Sequence, residues 1–197
     1  LQKMGFIASI SCIEIHIEME QGLREQYENA ELKDKFMLAC ANPKKLDAVR
    51  YLLKKHQHDN VLIIGTYIEQ LEIMSSELNL PVITGKTPNH LREKLFGQFR
   101  SGKINTLIVS KVANFSIDLP DANVAIQLSG TFGSRQEEAQ RLGRILRPKN
   151  LKGKRRRNNN HNRRQLENKA CFYTLVSKDS REQHFALNRQ KFLAGLR

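Results

Sequence analysis

Acidic residues are scarce in this chain. It has 20 Asp and Glu against 33 Lys and Arg in 197 residues, a formal net charge of +13. The surplus is uneven: Lys149 to Arg164 holds eight basic residues and no acid, which leaves +5 for the rest. A polyanion is the partner such a surplus fits, with the basic stretch as one contact or as a solvated bystander. Tryptophan is absent, and cysteine occurs three times. Cys12, Cys40 and Cys171 are odd in number and far apart, which suits neither a disulfide framework nor a zinc site. A reducing, intracellular setting is expected. No apolar run is long enough to span a bilayer, so no membrane role is expected. The start, LQKMGFIASISC, lacks the ordered basic, apolar and cleavage regions of a secretory leader. Position 1 is Leu, not Met, and we read the chain as a piece of a longer protein.

A phosphate-binding P-loop is also missing, although one stretch imitates it. In LPVITGKTPNHLREKLF (Leu80–Phe96) an apolar strand runs into Gly85-Lys86-Thr87 and then a helix. A P-loop needs a second glycine five residues before the Gly-Lys pair, so that the loop curls and aims its N–H groups at phosphates. That position is Leu80, and Pro81 removes one donor. The stretch reads as a strand-to-helix turn of an α/β domain.

What is present is a regular alternation. CIEIHIEM (Cys12–Met19) alternates isoleucine with polar residues, as a half-buried strand does, and a charged helix is expected over 21–36. A new unit begins at Asn42, which caps a helix with Pro43 at its first position and an apolar stripe of Leu46, Val49, Leu52 and Leu53. Short apolar strands follow at Val61–Gly65, Pro81–Thr84, Thr106–Ser110, Asn123–Leu128 and Ala170–Ser177. Helices are expected over 69–78, 89–100, 135–142 and 180–193. This alternation predicts a parallel sheet with crossover helices. We divide the chain into a strand and helix segment over 1–41 and a domain over 42–197, with a basic, Asn-rich mobile loop at about 149–168.

The segment GSRQEEAQRLGRILRPK (Gly133–Lys149) carries the chemistry. Gln140, Arg144 and Arg147 share one helix face, and Leu142, Ile145 and Leu146 lie on another. Gly143 leaves room for close approach. Arginine is planar, permanently charged and bidentate toward phosphate, so this cluster suits a phosphoryl group; a solvated basic helix face is the alternative. The segment resembles motif VI of superfamily 2 helicases. Ile104–Lys149 is similar to the XPB family of DNA-repair helicases, with SKVANFSIDLPDA at motif V. Upstream of it VLIIGTYIEQL resembles motif IV and ITGKTPNHLREKLFGQFRSG the segment between IV and V, so that the resemblance runs from about Gly5 to Lys149 and resumes weakly at Ala170–Leu193. The wording of SGTFGSRQEEAQRLGRILRPK looks more like bacterial members, and segment 150–168 departs from the pattern.

The resemblance implies a RecA-like three-layer α/β/α domain with a mainly parallel sheet, the second motor lobe of an ATP-dependent DNA helicase. It implies that Arg144 and Arg147 reach the γ-phosphate across the lobe interface, while Gln140 couples nucleotide to the motif's orientation. Arg141 and Gly143 belong to the same motif, Arg141 alternatively as a structural residue. Asp118 contacts the ribose or relays to motif VI, or caps a turn beside Pro120. The implied cofactors, ATP and Mg2+, are held mainly by a first lobe, because neither a Walker A loop nor an Asp-Glu-x-His or Asp-Glu-Ala-Asp box occurs here. The chain is therefore expected to be inactive by itself. Its implied partners are DNA, the N-terminal helicase lobe, and a repair nuclease or other repair factors. Its place is the cytoplasm, at the nucleoid, if bacterial, and the nucleus if eukaryotic.

Gly65, Thr66, Gly85, Lys86, Ser110 and Lys111 fall at or just after strand ends. Ligands of parallel α/β sheets bind at that edge, and backbone N–H groups, hydroxyls and lysines there can grip phosphates without reading bases. Two other readings remain open: a non-catalytic DNA-binding module on the same fold, and an RNA helicase lobe, which 2′-hydroxyl dependence would separate. His56, His58 and His161 lack metal-ligand spacing and read as surface residues. Phe96, Phe99 and Phe115 read as packing, and the adjacent Glu137 and Glu138 as structural ion-pair partners.

Overall fold

The computed structural model describes residues 10–110, 122–128 and 170–183. Among these residues six strands are formed: β1 (Ile10–Ile17), β2 (Val61–Gly65), β3 (Val82–Ile83), β4 (Thr106–Ser110), β5 (Val124–Gln127) and β6 (Ala170–Ser177). They build one sheet in the order β1-β6-β5-β2-β4-β3, and every pairing is parallel. The helices are α1 (Gln21–Asn29), α2 (Leu32–Cys40), α3 (Lys45–Lys55), α4 (Ile68–Leu78) and α5 (Asn89–Arg100). The expected helix over 135–142, and most of that over 180–193, lie outside the described residues.

The central strands VLIIG and TLIVS are buried along their whole length, because both faces of the sheet are covered. Alternate residues serve different cores. Leu62, Ile64, Leu107 and Val109 pack with Phe96 and Phe99 of α5. Val61, Ile63 and Ile108 pack with Val49 and Leu52 of α3 and Leu71 and Met74 of α4. Two apolar layers on one parallel sheet make the three-layer α/β/α fold, with Phe96 and Phe99 as core residues.

Three local expectations are refined. The helix expected over 21–36 is two helices, because the chain is extended at Ala30 and Glu31 before α2 starts. The first strand is shifted two residues toward the N-terminus and pairs along its full length with β6, so the strand of the 1–41 segment is the outer strand of the sheet. It is an edge, and Ile13 remains 37% exposed there. The helix expected to be capped by Asn42 with Pro43 at its first position starts at Lys45 instead, with Lys44 at the cap position and no side-chain cap bond. Asn42 Oδ1 accepts from the Lys44 N–H at 3.2 Å and closes the turn through Pro43 that leads into α3. Among the described residues no helix is long and apolar enough to cross a membrane.

Candidate functional site

A parallel sheet puts all its strand ends on one edge, and the register shows which of them are neighbours. Gly65 stands opposite Ser110, and Ile83 opposite Val109. The ends of β2, β4 and β3 therefore bring Gly65-Thr66, Ser110 and Thr84-Gly85-Lys86 side by side. The connection from β2 runs outward to β3, whereas the connection from β4 runs back past β2 to β5. Ligands of open α/β sheets usually bind outside the carboxyl ends of the strands. Thr66, Gly85 and Lys86 are exposed along this edge, while Ser110 is buried at 2% exposure. Lys111, Asp118, Gln140, Arg141, Gly143, Arg144 and Arg147 lie outside the described residues.

The Gly-Lys-Thr turn is closed on itself. The Thr84 N–H donates to Oγ1 of Thr87 at 2.9 Å, and the Lys86 N–H to Oγ1 of Thr84 at 3.2 Å. The Thr87 N–H donates to the Thr84 carbonyl at 3.2 Å. These donors are the kind a P-loop would turn on phosphate, and here they are engaged inside the turn. Arg92, one turn into α5, donates to the carbonyls of Thr84 and Thr87, each at 3.2 Å, and so clamps the turn to its helix. The Lys86 side chain is left projecting at the surface.

At Gly65 a side chain of α4 lies directly against the sheet. A Cβ there would stand 2.6 Å from Cδ2 of Leu71, inside contact distance. The glycine lets the start of α4 sit directly over the end of β2. Tyr67 immediately precedes that helix. Burial, then the nearby Cys40 and Glu182, push its phenol above the ordinary range.

Behind this edge lies an ion pair that sequence reasoning missed. Lys45, the first residue of α3, and Glu182 are both fully buried. The Lys45 ammonium donates to Oε1 and Oε2 of Glu182 at 2.9 and 2.8 Å, and to the Leu128 carbonyl at 2.7 Å. Glu182 also accepts from the Ser177 N–H at 2.9 Å and from Sγ of Cys40 at 3.7 Å. Asn42 donates to Oγ of Ser177 at 3.2 Å, and that hydroxyl donates to the Ala39 carbonyl at 2.6 Å. The only sequence signal was Asn42, read as a cap; Lys45 and Glu182 are 137 residues apart.

His56 corrects another expectation. Its side chain is 11% exposed, not a surface group. Nδ1 lies 2.8 Å from Oδ2 of Asp59, and Nε2 lies 2.9 Å from the Tyr173 hydroxyl. Asp59 in turn accepts from Asn123, whose Oδ1 takes the Asn60 N–H at 2.7 Å. Asn60 and Asn123 precede β2 and β5, so this network braces the opposite edge of the sheet. His58 is exposed, as expected.

The architecture is that of a RecA-like helicase C-terminal domain. The C-terminal domain of the DEAD-box protein Dbp5 matches with a TM-score of 0.66 over 94% of this chain and 86% of its own, at 13% identity, which bears on the fold. Sequence comparison goes further. The family model for the ERCC3/RAD25/XPB C-terminal helicase matches residues 1–195, and the chain belongs to that family. It is 45% identical over 194 residues to the DNA 3'-5' helicase XPB of Kineococcus radiotolerans, covering 98% of this chain and 32% of that protein. It is 38% identical over 196 residues to the general transcription and DNA repair factor IIH helicase/translocase subunit XPB of Drosophila melanogaster, covering 98% of this chain and 23% of that protein. The chain thus spans about a third of the bacterial relative's length.

Proposed function

We propose that this chain is the second motor lobe of an ATP-dependent DNA helicase or translocase acting in DNA repair. The observation that carries the reading is the family match over residues 1–195, laid on a parallel sheet whose β2, β4 and β3 ends stand side by side at the carboxyl edge. ATP, bound with Mg2+ mainly by a first lobe, supplies the phosphoryl transfer that drives the motor. Residues of this chain complete that site. Arg144 and Arg147 are always charged and suit a γ-phosphate whose charge grows in the transition state; Gln140, Arg141 and Gly143 hold them in line, and Asp118 reaches the ribose. Such arginines are worth about 10³–10⁵ in rate.

DNA runs along the ends of β2, β4 and β3. Thr66, Gly85 and Lys86 offer a hydroxyl, an open backbone and a cation at the surface there. Gly65 and Ser110 shape the edge from inside, and Lys111 extends it. Contacts of this kind position a backbone and carry no sequence information, as movement along DNA demands. A lobe without a P-loop hydrolyses no ATP alone.

The test is Arg144→Ala and Arg147→Ala in the two-lobe protein. Each variant loses DNA-stimulated ATP turnover and retains nucleotide binding. Wild-type turnover in both would remove the arginine assignment.

A further inference from the structure

We infer that the buried Lys45–Glu182 pair is a positioning device that fixes where the chain leaves β5 on its way to the arginine segment; the consequence for turnover rests on the role proposed above for Arg144 and Arg147.

The geometry is specific to that place. The Leu128 N–H still donates to the Ile64 carbonyl at 2.8 Å, continuing the pairing of β5 with β2. Its own carbonyl takes no strand partner among the described residues and is held at 2.7 Å by the Lys45 ammonium. The ladder therefore ends on a charge. Gln140, Arg144 and Arg147 follow 12, 16 and 19 residues later. The other two protons of Lys45 go to Glu182, and Glu182 also receives the N–H of Ser177, the last residue of β6. One ion pair thus joins the first residue of α3 to the ends of two neighbouring strands, all at the carboxyl edge.

Stability alone is a poor reason for such a pair. Taking both charges out of water offsets most of their attraction, and well-packed apolar residues of similar size often do as well. What apolar residues cannot do is hold a carbonyl at a set place and angle. A methionine at position 45 fills the same volume and releases Leu128. The arginines need close placement across an interface, where small displacements cost large factors in rate.

The experiment uses the two-lobe protein with both charges removed together, Lys45→Met with Glu182→Gln, so that no charge is left buried and unpaired. Glu182→Asp is the second variant; it keeps the charges and draws the carboxylate back from Lys45. Hydrogen exchange and ATP kinetics are read on both. Amides of 129–147 exchange about tenfold faster or more, while those of β2 stay as they are. The DNA-stimulated kcat falls about 10–100-fold with KM for ATP held within about twofold, the Asp variant less than the double. Unchanged exchange in a folded variant overturns the inference. So does wild-type turnover in both variants when Arg144→Ala is dead, and so does loss of folding in both, which would make the pair a determinant of stability only. If the wild-type two-lobe protein itself fails to hydrolyse ATP, the proposed function fails, and the exchange data still decide the positioning.

Discussion

Gly65 and Leu71 stand so close that a side chain at the glycine would have to displace the leucine. A Cβ at position 65 would lie 2.6 Å from Cδ2 and 3.3 Å from Cγ of Leu71, which is itself fully buried. Leu71 has no solvent to swing into, so its side chain must repack within the core or α4 must shift. Gly65→Ala is predicted to destabilise the lobe by about 1–3 kcal/mol, as overpacked cores do. Thermal unfolding measures this, and an unchanged midpoint would mean that Leu71 repacks at no cost.

Lys86 projects from a turn whose Thr84, Lys86 and Thr87 N–H groups are engaged within it, and its side chain is at the surface. Lys86→Ala should weaken DNA binding equally across sequences and reduce the slope of log affinity against log salt by about 1. Arg92→Ala should weaken binding as well, by releasing the turn. Titrations at several salt concentrations give both numbers. A slope unchanged in Lys86→Ala would place the nucleic acid elsewhere.

The basic stretch from Lys149 to Arg164 carries eight positive charges. Replacing those residues by Ser or Gln should lower affinity for DNA and flatten its salt dependence, because fewer counterions are released. An unaltered slope would make the stretch a bystander.

Two tyrosines set an alkaline limit. Burial is the main cause that holds the phenols of Tyr67 and Tyr173 above the ordinary range. The folded chain therefore keeps protons that the unfolded chain releases near pH ~10. The stability they contribute is full below that pH and declines as pH rises through the folded values. Urea midpoints measured from neutral to strongly alkaline pH should fall, and Tyr67→Phe should make the fall shallower. Parallel profiles for wild type and variant would contradict this.

How much of this could be read from the chain depends on distance along it. VLIIG and TLIVS are unbroken apolar runs, and a run of that kind needs both faces covered, so the central strands and the parallel sheet were legible. The strand ends followed, because a parallel sheet fixes the edge on which Gly65, Gly85 and Ser110 must lie. The break between α1 and α2 was not legible: Asn29-Ala30-Glu31 contains neither Gly nor Pro, and only the backbone at Ala30 and Glu31 shows the turn. Lys45 reads like any lysine at a helix start, and what buries it is a glutamate 137 residues away. His56 sits in an exposed-looking His-Gln-His, and its Tyr173 partner is 117 residues off. Pairings of that range leave no local pattern.

The most direct measurement is ATP hydrolysis by this chain alone and mixed with a separately made first lobe, each with and without DNA. The account predicts no turnover by the chain alone and DNA-stimulated turnover in the mixture, with Arg144 and Arg147 supplied from this lobe. No turnover in the mixture, with the two lobes shown to associate, would contradict it and leave a DNA-binding module that uses the fold without the catalysis.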